Sequence, residues 1–166
     1  MSTFEGRVWK FGDDVNTDLI IPGRYLDNYD PAYLAAHAME GASKDFSSKV
    51  SNGDIIVAGR NFGCGSSREQ AVIALKHAGV GAVVAASFAR IFYRNAVNLG
   101  LPVLISRDAH DKVREGLSVR IDAKHRSITA SDGGVQVAVE PMPEHVARIL
   151  EHGGLVPYIK TKLGTE

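Results

Sequence analysis

Short apolar runs alternate with helix-like segments through the centre of the chain. Residues 54–58, 82–85 and 102–105 have the length and composition of buried strands, whereas residues 68–77 and 89–99 repeat apolar side chains at helical spacing. A parallel pair of strands needs a long crossover connection, and a helix usually provides it. The sequence therefore predicts an α/β fold with βαβ units, in which the loop after each strand lies at the carboxyl edge of a partly parallel sheet.

The flanking segments predict the remainder of the sheet. Asp30 and Pro31 predict the start of a helix, because an aspartate caps free N–H groups and a proline suits the first turn. Short apolar or alternating runs predict further strands, with a hairpin turn at residues 131–134 and a closing helix at residues 144–151. These strand predictions are residues 6–11, 19–21, 117–121, 127–130 and 135–139. We thus expect a mixed sheet with flanking helices.

The length and composition fit one domain. The chain has 166 residues, of which 45% are hydrophobic, and neither a repeat nor a linker-like segment divides it. We therefore expect a single domain that spans residues 1–166.

The charge balance and the apolar pattern exclude several classes of function. The 19 basic residues match the 19 acidic residues, so the chain has no strong field for nucleic acid or an anionic membrane. No apolar run approaches the roughly 20 residues of a membrane span, and the first residues do not follow a signal-peptide pattern. We expect a cytoplasmic protein that binds neither nucleic acid nor membrane and that recognises anions only locally.

A glycine-rich loop carries the strongest chemical signal. Residues 61–69 read Asn-Phe-Gly-Cys-Gly-Ser-Ser-Arg-Glu and lie between a predicted strand and a predicted helix. Gly63 and Gly65 permit positive φ, and the free N–H groups of a helix start attract anions. Ser66 and Ser67 add hydroxyl groups, and Arg68 adds a planar fork that suits a carboxylate or a phosphate. The same residues also fit a serine helix cap beside a solvent-exposed arginine.

Dinucleotide binding is an alternative interpretation of this loop. Gly63 and Gly65 match the first two glycines of the G-x-G-x-x-G fingerprint, but Arg68 replaces the third. The strand at residues 82–85 also lacks a following acidic residue that would bind a ribose hydroxyl. We therefore disfavour this alternative.

Three ordered segments together resemble a known family. They are residues 16–22 (Asn-Thr-Asp-Leu-Ile-Ile-Pro), residues 61–69, and residues 87–95 (Ser-Phe-Ala-Arg-Ile-Phe-Tyr-Arg-Asn). They resemble the small subunits of the aconitase superfamily, namely those of 3-isopropylmalate dehydratase, homoaconitase and 2,3-dimethylmalate dehydratase, and more distantly the mobile C-terminal domain of aconitase. The resemblance extends over residues 6–158.

The resemblance implies a swivelling β/β/α domain that closes over a substrate bound at a 4Fe–4S cluster in a large subunit. The implied reaction is the dehydration and rehydration that interconverts 2-isopropylmalate and 3-isopropylmalate in leucine biosynthesis, catalysed by a hydro-lyase that is active only with its large subunit. Ser66 would be the catalytic base and Arg68 would bind a substrate carboxylate. Ser67 would add a further substrate contact, with Thr17 and Asp18 supporting the loop.

In this family a loop after the first segment meets the variable side chain of the substrate. Here the specificity loop comprises Arg24, Tyr25, Leu26, Asp27, Asn28 and Tyr29. Relatives that act on an extra carboxylate place an arginine after the Tyr-Leu pair, whereas this chain has Asp27. A like charge opposes a third substrate carboxylate, so we expect an alkylmalate substrate. Asp27 and Asn28 also depart from the apolar pattern of isopropylmalate enzymes, and 2,3-dimethylmalate dehydratase or homoaconitase therefore remain alternatives.

The remaining chemical groups suggest no second centre. Cys64 is the single cysteine, and a cluster needs about four thiolates, so we expect no cofactor in this chain and interpret Cys64 as a packed side chain. The histidines lack metal-ligand spacing, and we expect no metal site. Arg90 and Arg94 lie four residues apart, which favours a structural or interface role. A stand-alone carboxylate-binding module remains a second class of function, and the isolated chain could form a homo-oligomer.

Overall fold

The computed structural model describes residues 3–164, and their seven strands form one mixed sheet. The strand order is β4-β3-β2-β1-β5-β6-β7. β1 pairs in parallel with β2 and antiparallel with β5, so the parallel and antiparallel parts of the sheet meet at β1. The strands are β1 (Thr3–Lys10), β2 (Ile55–Ala58), β3 (Ala82–Ala85), β4 (Val103–Ile105), β5 (Ser118–Asp122), β6 (Ser127–Ala130) and β7 (Gln136–Ala138).

The helices connect and flank these strands. α4 and α5 are the crossover helices between the parallel strands β2, β3 and β4, as the alternating pattern predicts. The helices are α1 (Thr17–Ile20), α2 (Pro31–Ala35), α3 (Phe46–Lys49), α4 (Glu69–Ala78), α5 (Arg90–Leu99), α6 (Ala109–Lys112), α7 (Glu144–Glu151) and α8 (Leu155–Lys162), with a 3-10 turn at Gly23–Tyr25.

The burial of each strand follows from its place in the sheet. β2 and β3 are buried along their whole length, because side chains of successive residues enter cores on opposite faces. Ile56 contributes to the core beneath α4 and α5, whereas Ile55 and Val57 contribute to the core on the other face. β5, β6 and β7 alternate between buried and less buried residues, which is typical of antiparallel strands with one covered face.

The prediction of a strand at residues 19–21 is wrong. Leu19 and Ile20 belong to the short helix α1, because the side chain of Asn16 accepts a hydrogen bond from the backbone N–H of Leu19 at 2.9 Å and caps the first turn, and Ile21 ends that helix. Ile20 and Ile21 are fully buried in the same core as α4. A short apolar run cannot be assigned to strand or helix by its pattern alone, and here the cap formed by Asn16 favours the helix.

The predicted helix start at Asp30 is confirmed, but the helix is short. Asp30 accepts a hydrogen bond from the backbone N–H of Tyr33 at 3.2 Å, and α2 ends at Ala35. The chain then turns through Met39, which has a positive φ of 58°. The sequence patterns did not predict the 3-10 turn or helices α3, α6 and α8. No helix within residues 3–164 is long and apolar enough to span a bilayer.

Asp54 ties the start of β2 to β1. Asp54 is 4% exposed, and its Oδ2 accepts from Trp9 Nε1 and from the backbone N–H of Ser51, both at 2.9 Å. Oδ1 accepts from the backbone N–H of Arg7 at 3.3 Å. Because three donors share this one carboxylate, its loss would leave several of them without a partner.

We expect Asp54→Ala to lower the free energy of unfolding by about 2–4 kcal/mol, since each abandoned donor costs on the order of 1 kcal/mol or more. Urea denaturation monitored by Trp9 fluorescence measures the change. Asp45→Ala is the control, because the Asp45 side chain is 70% exposed and, within the part of the chain that the structure describes, pairs only with Lys49. Its effect should stay below about 0.5 kcal/mol, and equal losses in the two variants would contradict the role of Asp54.

Candidate active site

The glycine-rich loop follows β2 at the carboxyl edge of the parallel sheet, as predicted, and the segment before α1 holds one side of it. The backbone N–H of Gly63 donates to the carbonyl of Val15 at 2.7 Å, and the N–H of Thr17 donates to the carbonyl of Cys64 at 2.8 Å. The hydroxyl of Thr17 then donates to the carbonyl of Ser66 at 3.0 Å. Thr17 is 3% exposed, so its contacts to the loop are shielded from water.

The segment between β3 and α5 holds the other side of the loop. The N–H of Phe62 donates to the carbonyl of Ser87 at 3.1 Å, and the N–H of Ala89 donates to the carbonyl of Phe62 at 2.9 Å. The hydroxyl of Ser87 also accepts from the N–H of Asn61 at 2.8 Å. The three sequence segments that carry the family resemblance are therefore brought together around one loop.

Two glycines allow the loop to take this path. Gly63 has a φ of 84° and Gly65 a φ of 98°. A Cβ on Gly63 would lie only 2.2 Å from the ring of Phe92, whereas one on Gly65 would lie 3.3 Å from Thr17 Oγ1. Gly63 is thus required both by its backbone conformation and by the close approach of α5.

A cavity of about 270 Å³ opens beside the loop. Six of the residues predicted to form or support the site line it, whereas Asp18 and residues 24–29 lie outside the lining. Residues of α5 complete the wall. The lining consists of Thr17, Gly63, Gly65, Ser66, Ser67, Arg68, Ala89, Arg90, Ile91, Phe92 and Asn95.

Ser66 lies before the start of α4 and is exposed at this cavity. The N-cap of α4 is Arg68, without a side-chain cap hydrogen bond, so the interpretation of the serines as helix caps is wrong. Among residues 3–164 the hydroxyl of Ser66 has no hydrogen-bond partner, and its position is fixed through its backbone carbonyl by Thr17. The hydroxyl is therefore available to a ligand in the cavity.

Arg68 is held in place by a single nitrogen. Its Nη1 donates to the carbonyl of Ile21 at 3.3 Å and to Asp18 Oδ1 at 3.4 Å. The side chain of Arg68 is 21% exposed and that of Asp18 is 67% exposed. The other N–H groups of the guanidinium have no partner within the described residues, which leaves them able to bind a carboxylate.

The sequence favours a structural or interface role for Arg90, and the structure places this residue in the lining of the cavity. Arg90 is the first residue of α5 and is exposed, and within residues 3–164 neither Arg90 nor Arg94 has an ion-pair partner. Its place in residues 87–95, one of the three segments that carry the family resemblance, was the only signal in the sequence. Since the lining contains Arg68 and Arg90 and no carboxylate, the cavity favours an anion.

The specificity loop lies next to the cavity and connects to it through Asp18. Asp18 Oδ1 accepts from the N–H of Gly23 at 3.0 Å, and Gln70 of α4 donates to the carbonyl of Leu26 at 3.4 Å. Tyr25 and Leu26 pack against the core. Tyr29 is 61% exposed, and Asp27 and Asn28 are also exposed, so these three residues form the accessible end of the loop.

The donor set of this chain does not fit an iron–sulfur cluster. Cys64 is its single cysteine and is partly buried in the loop, where its carbonyl accepts from Thr17. Within residues 3–164, no three His, Cys, Asp or Glu side chains converge as metal ligands. Ligands for such a cluster would have to come from another chain.

Comparison with known proteins assigns this arrangement to a family. A family model described as the aconitase C-terminal domain matches residues 13–108, which include all three segments around the cavity. The chain belongs to the aconitase C-terminal domain family. The glycine-rich loop is thus the loop of an aconitase C-terminal domain rather than a dinucleotide-binding fingerprint.

Relatives of this aconitase C-terminal domain extend the match over nearly the whole chain. The methanogen homoaconitase small subunit of Methanothermobacter thermautotrophicus is 57% identical, over 94% of this chain and 91% of the relative. The 3-isopropylmalate dehydratase small subunit 1 of Methanopyrus kandleri is 54% identical, over 93% and 91%. The crystal structure of 3-isopropylmalate dehydratase from Methanocaldococcus jannaschii has a TM-score of 0.93 at 50% identity and covers 97% of this chain and 95% of that one. The predicted α/β fold is therefore confirmed.

The contact between Gly63 and Phe92 gives a stability test. We expect Gly63→Ala to lower the free energy of unfolding by at least about 2 kcal/mol more than Gly133→Ala, because only the first adds a clash to the strain of positive φ. Gly133 is the matched control, since its φ is 75° and a Cβ there would meet nothing within 4 Å. Thermal denaturation followed by circular dichroism compares the stability of the two variants. Equal losses of stability would show that α5 can move away from a Cβ at position 63 without an energetic penalty.

Proposed function

We propose that this chain is the small subunit of a hydro-lyase that interconverts 2-isopropylmalate and 3-isopropylmalate by removing and re-adding water. The observation that carries the proposal is a cavity lined by Arg68, Arg90 and no carboxylate, together with Ser66, whose hydroxyl has no hydrogen-bond partner within residues 3–164. The names of the 3-isopropylmalate dehydratase small subunits among its relatives support the reaction class.

In this proposal Ser66 is the base. As an alkoxide it takes a proton from the substrate carbon next to a carboxylate, and the negative charge that develops moves into that carboxylate, which Arg68 binds through its free N–H groups. The hydroxyl group on the neighbouring carbon then leaves as hydroxide and a double bond forms between the two carbons, so the hydroxide and the proton held by Ser66 together make up the water that is removed. Rehydration with the two positions exchanged gives the isomer. Ser67 and the backbone N–H groups at the start of α4 add donors to the same region.

A serine acts as a base only where water is excluded, and Ser66 is exposed in the isolated chain. We therefore propose that a large subunit covers the cavity, and that the chain, residues 1–166, acts as one swivelling domain that closes on it. A 4Fe–4S cluster in that subunit would supply Lewis-acid chemistry for the hydroxyl group. The chain alone should show no dehydratase turnover, since its own residues provide only the base and the carboxylate site.

The specificity loop favours a substrate with two carboxylates and an alkyl branch. Its accessible end comprises Asp27, Asn28 and Tyr29, and Asp27 would repel a third carboxylate. The second candidate is a homoaconitase small subunit, which the similarity to the Methanothermobacter relative supports. 2,3-Dimethylmalate is a further dicarboxylate that fits the same argument. A stand-alone carboxylate-binding module would instead bind dicarboxylates strongly without a partner.

The separate roles of Ser66 and Arg68 predict different kinetic defects in the enzyme reconstituted with its large subunit. Ser66→Ala should lower kcat by roughly a thousandfold with little change in KM, because it removes the base but not the carboxylate contacts. Arg68→Lys should raise KM on the order of tenfold as well as lower kcat, since an ammonium group cannot form the bidentate contact.

Ser67→Ala is the comparison for Ser66→Ala, because Ser67 lines the same cavity and has the same size. Its loss in kcat should be much smaller. Equal and mild effects of all three substitutions on steady-state kinetics would contradict the proposed roles.

Asp27 gives the substrate test. The wild-type enzyme should prefer 3-isopropylmalate over homoaconitate by on the order of 2–4 kcal/mol in kcat/KM, the scale of one lost charged hydrogen bond plus repulsion. Asp27→Arg should narrow that gap. The measurement is kcat/KM for 3-isopropylmalate, 2,3-dimethylmalate and homoaconitate; a wild type that favours homoaconitate would instead support the homoaconitase assignment.

A further inference from the structure

The carboxylate of Glu40 accepts hydrogen bonds from two residues of the specificity loop. Its Oε1 accepts from the hydroxyl of Tyr25 at 2.9 Å and from Arg24 Nη2 at 3.2 Å. Its Oε2 lies 2.7 Å from His37 Nδ1. The carboxylate thus joins the loop to the segment that follows α2, and Arg24 is the single cation among residues 23–29.

Ring stacking fixes the geometry of this cluster. The rings of Tyr25 and His37 stack with their centroids 3.7 Å apart and their planes 10° apart. The guanidinium of Arg24 lies over the ring of Tyr25, with Cζ 4.7 Å from the centroid. Tyr33 of α2 packs edge-on against both Tyr25 and His37. Arg24 is therefore held both through its charge and through the face of Tyr25.

The environment keeps Glu40 ionised. Partial burial disfavours its charged form, but the hydrogen bonds with His37 and Tyr25 outweigh burial and hold the pKa of Glu40 below its usual value. The Glu40 side chain is only 26% exposed, whereas that of Arg24 is 65% exposed. At neutral pH an ionised, positioned carboxylate therefore pairs with a guanidinium that solvent can still reach.

We propose that Glu40 is a specificity-determining residue that acts through Arg24. By pairing with Arg24 it neutralises the charge of the only cation of the loop, so a third substrate carboxylate that reaches the exposed N–H groups of Arg24 gains little net attraction. This inference rests on the proposed function, in which the loop meets the variable part of the substrate. Glu40 touches no reacting atom and is a positioning residue.

Competition explains the effect. A substrate carboxylate would have to share Arg24 with Glu40, which is already in place on the same chain and is held by two further partners, so the two carboxylates would repel each other and the gain from a second ion pair would be small. Asp27 in the same loop adds repulsion. An alkyl branch meets neither obstacle, and the loop therefore selects a dicarboxylate over a tricarboxylate.

The experiment is a double-substitution cycle in the enzyme reconstituted with its large subunit. The ratio of kcat/KM for homoaconitate to that for 3-isopropylmalate is measured for wild type, Glu40→Gln, Arg24→Gln and the double variant. Glu40→Gln retains an acceptor for Tyr25 and should raise the ratio on the order of tenfold, because Arg24 is released. Adding Arg24→Gln should cancel that rise. A purely structural defect would lower both rates and would not be reversed by Arg24→Gln.

Glu115→Gln is the matched control, because it makes the same change in charge at an exposed residue outside the loop. It should leave the ratio unchanged. An unchanged ratio in Glu40→Gln would overturn the inference, and so would a rise that persists in the double variant.

A second readout does not depend on the large subunit. The isolated ¹⁵N-labelled chain is titrated with tricarballylate, and the backbone amide shift of Tyr25 is followed by NMR. Glu40→Gln should bind at least about threefold more tightly than wild type, and the gain should vanish with Arg24→Gln. Equal affinities of wild type and Glu40→Gln for tricarballylate would show that pairing with Glu40 does not weaken the binding of a carboxylate by Arg24. Absence of turnover from the wild-type reconstituted enzyme would count against the proposed function alone.

Discussion

The site depends on backbone hydrogen bonds that hold one loop between two others. Parallel bridges join Asn16 to Cys64 and Phe62 to Phe88, so the segments before α1 and before α5 both extend the order of the parallel sheet beyond its strands. Because main-chain groups make these contacts, they do not depend on the side chains of Ser66 and Arg68. Ser66 and Arg68 can therefore serve a ligand instead of stabilising the fold.

The cavity carries a local positive charge although the chain as a whole is neutral. Its formal net charge is zero, yet the cavity is lined by two arginines and no carboxylate. The charge at the start of α5 opposes the helix dipole, which costs on the order of 0.3–1 kcal/mol. A cost of this kind at the wall of a cavity is expected where a residue serves an anion rather than its own helix.

Two arginines near the site differ in the carboxylate that each one meets. Arg68 meets Asp18, which is 67% exposed, and an exposed pair of this kind contributes little and exchanges readily. Arg24 meets Glu40, which is 26% exposed and is also bonded to His37 and Tyr25. In the proposed function, the first arrangement leaves an arginine available to a substrate carboxylate, whereas the second neutralises an arginine with a carboxylate that is held in place.

The sequence by itself determined the order of β2, α4, β3, α5 and β4, the position of the glycine-rich loop and the family, because hydrophobic period, glycines and motif order are local properties. The tertiary structure decided what local patterns leave open. Leu19 and Ile20 form helix rather than strand because Asn16 caps α1 within a packed core. Arg90 reaches the cavity, and Glu40 reaches Arg24 across 16 residues, only because the fold brings separate segments together. Such contacts join segments that are far apart in the sequence, so the spacing of residues along a single sequence does not predict them.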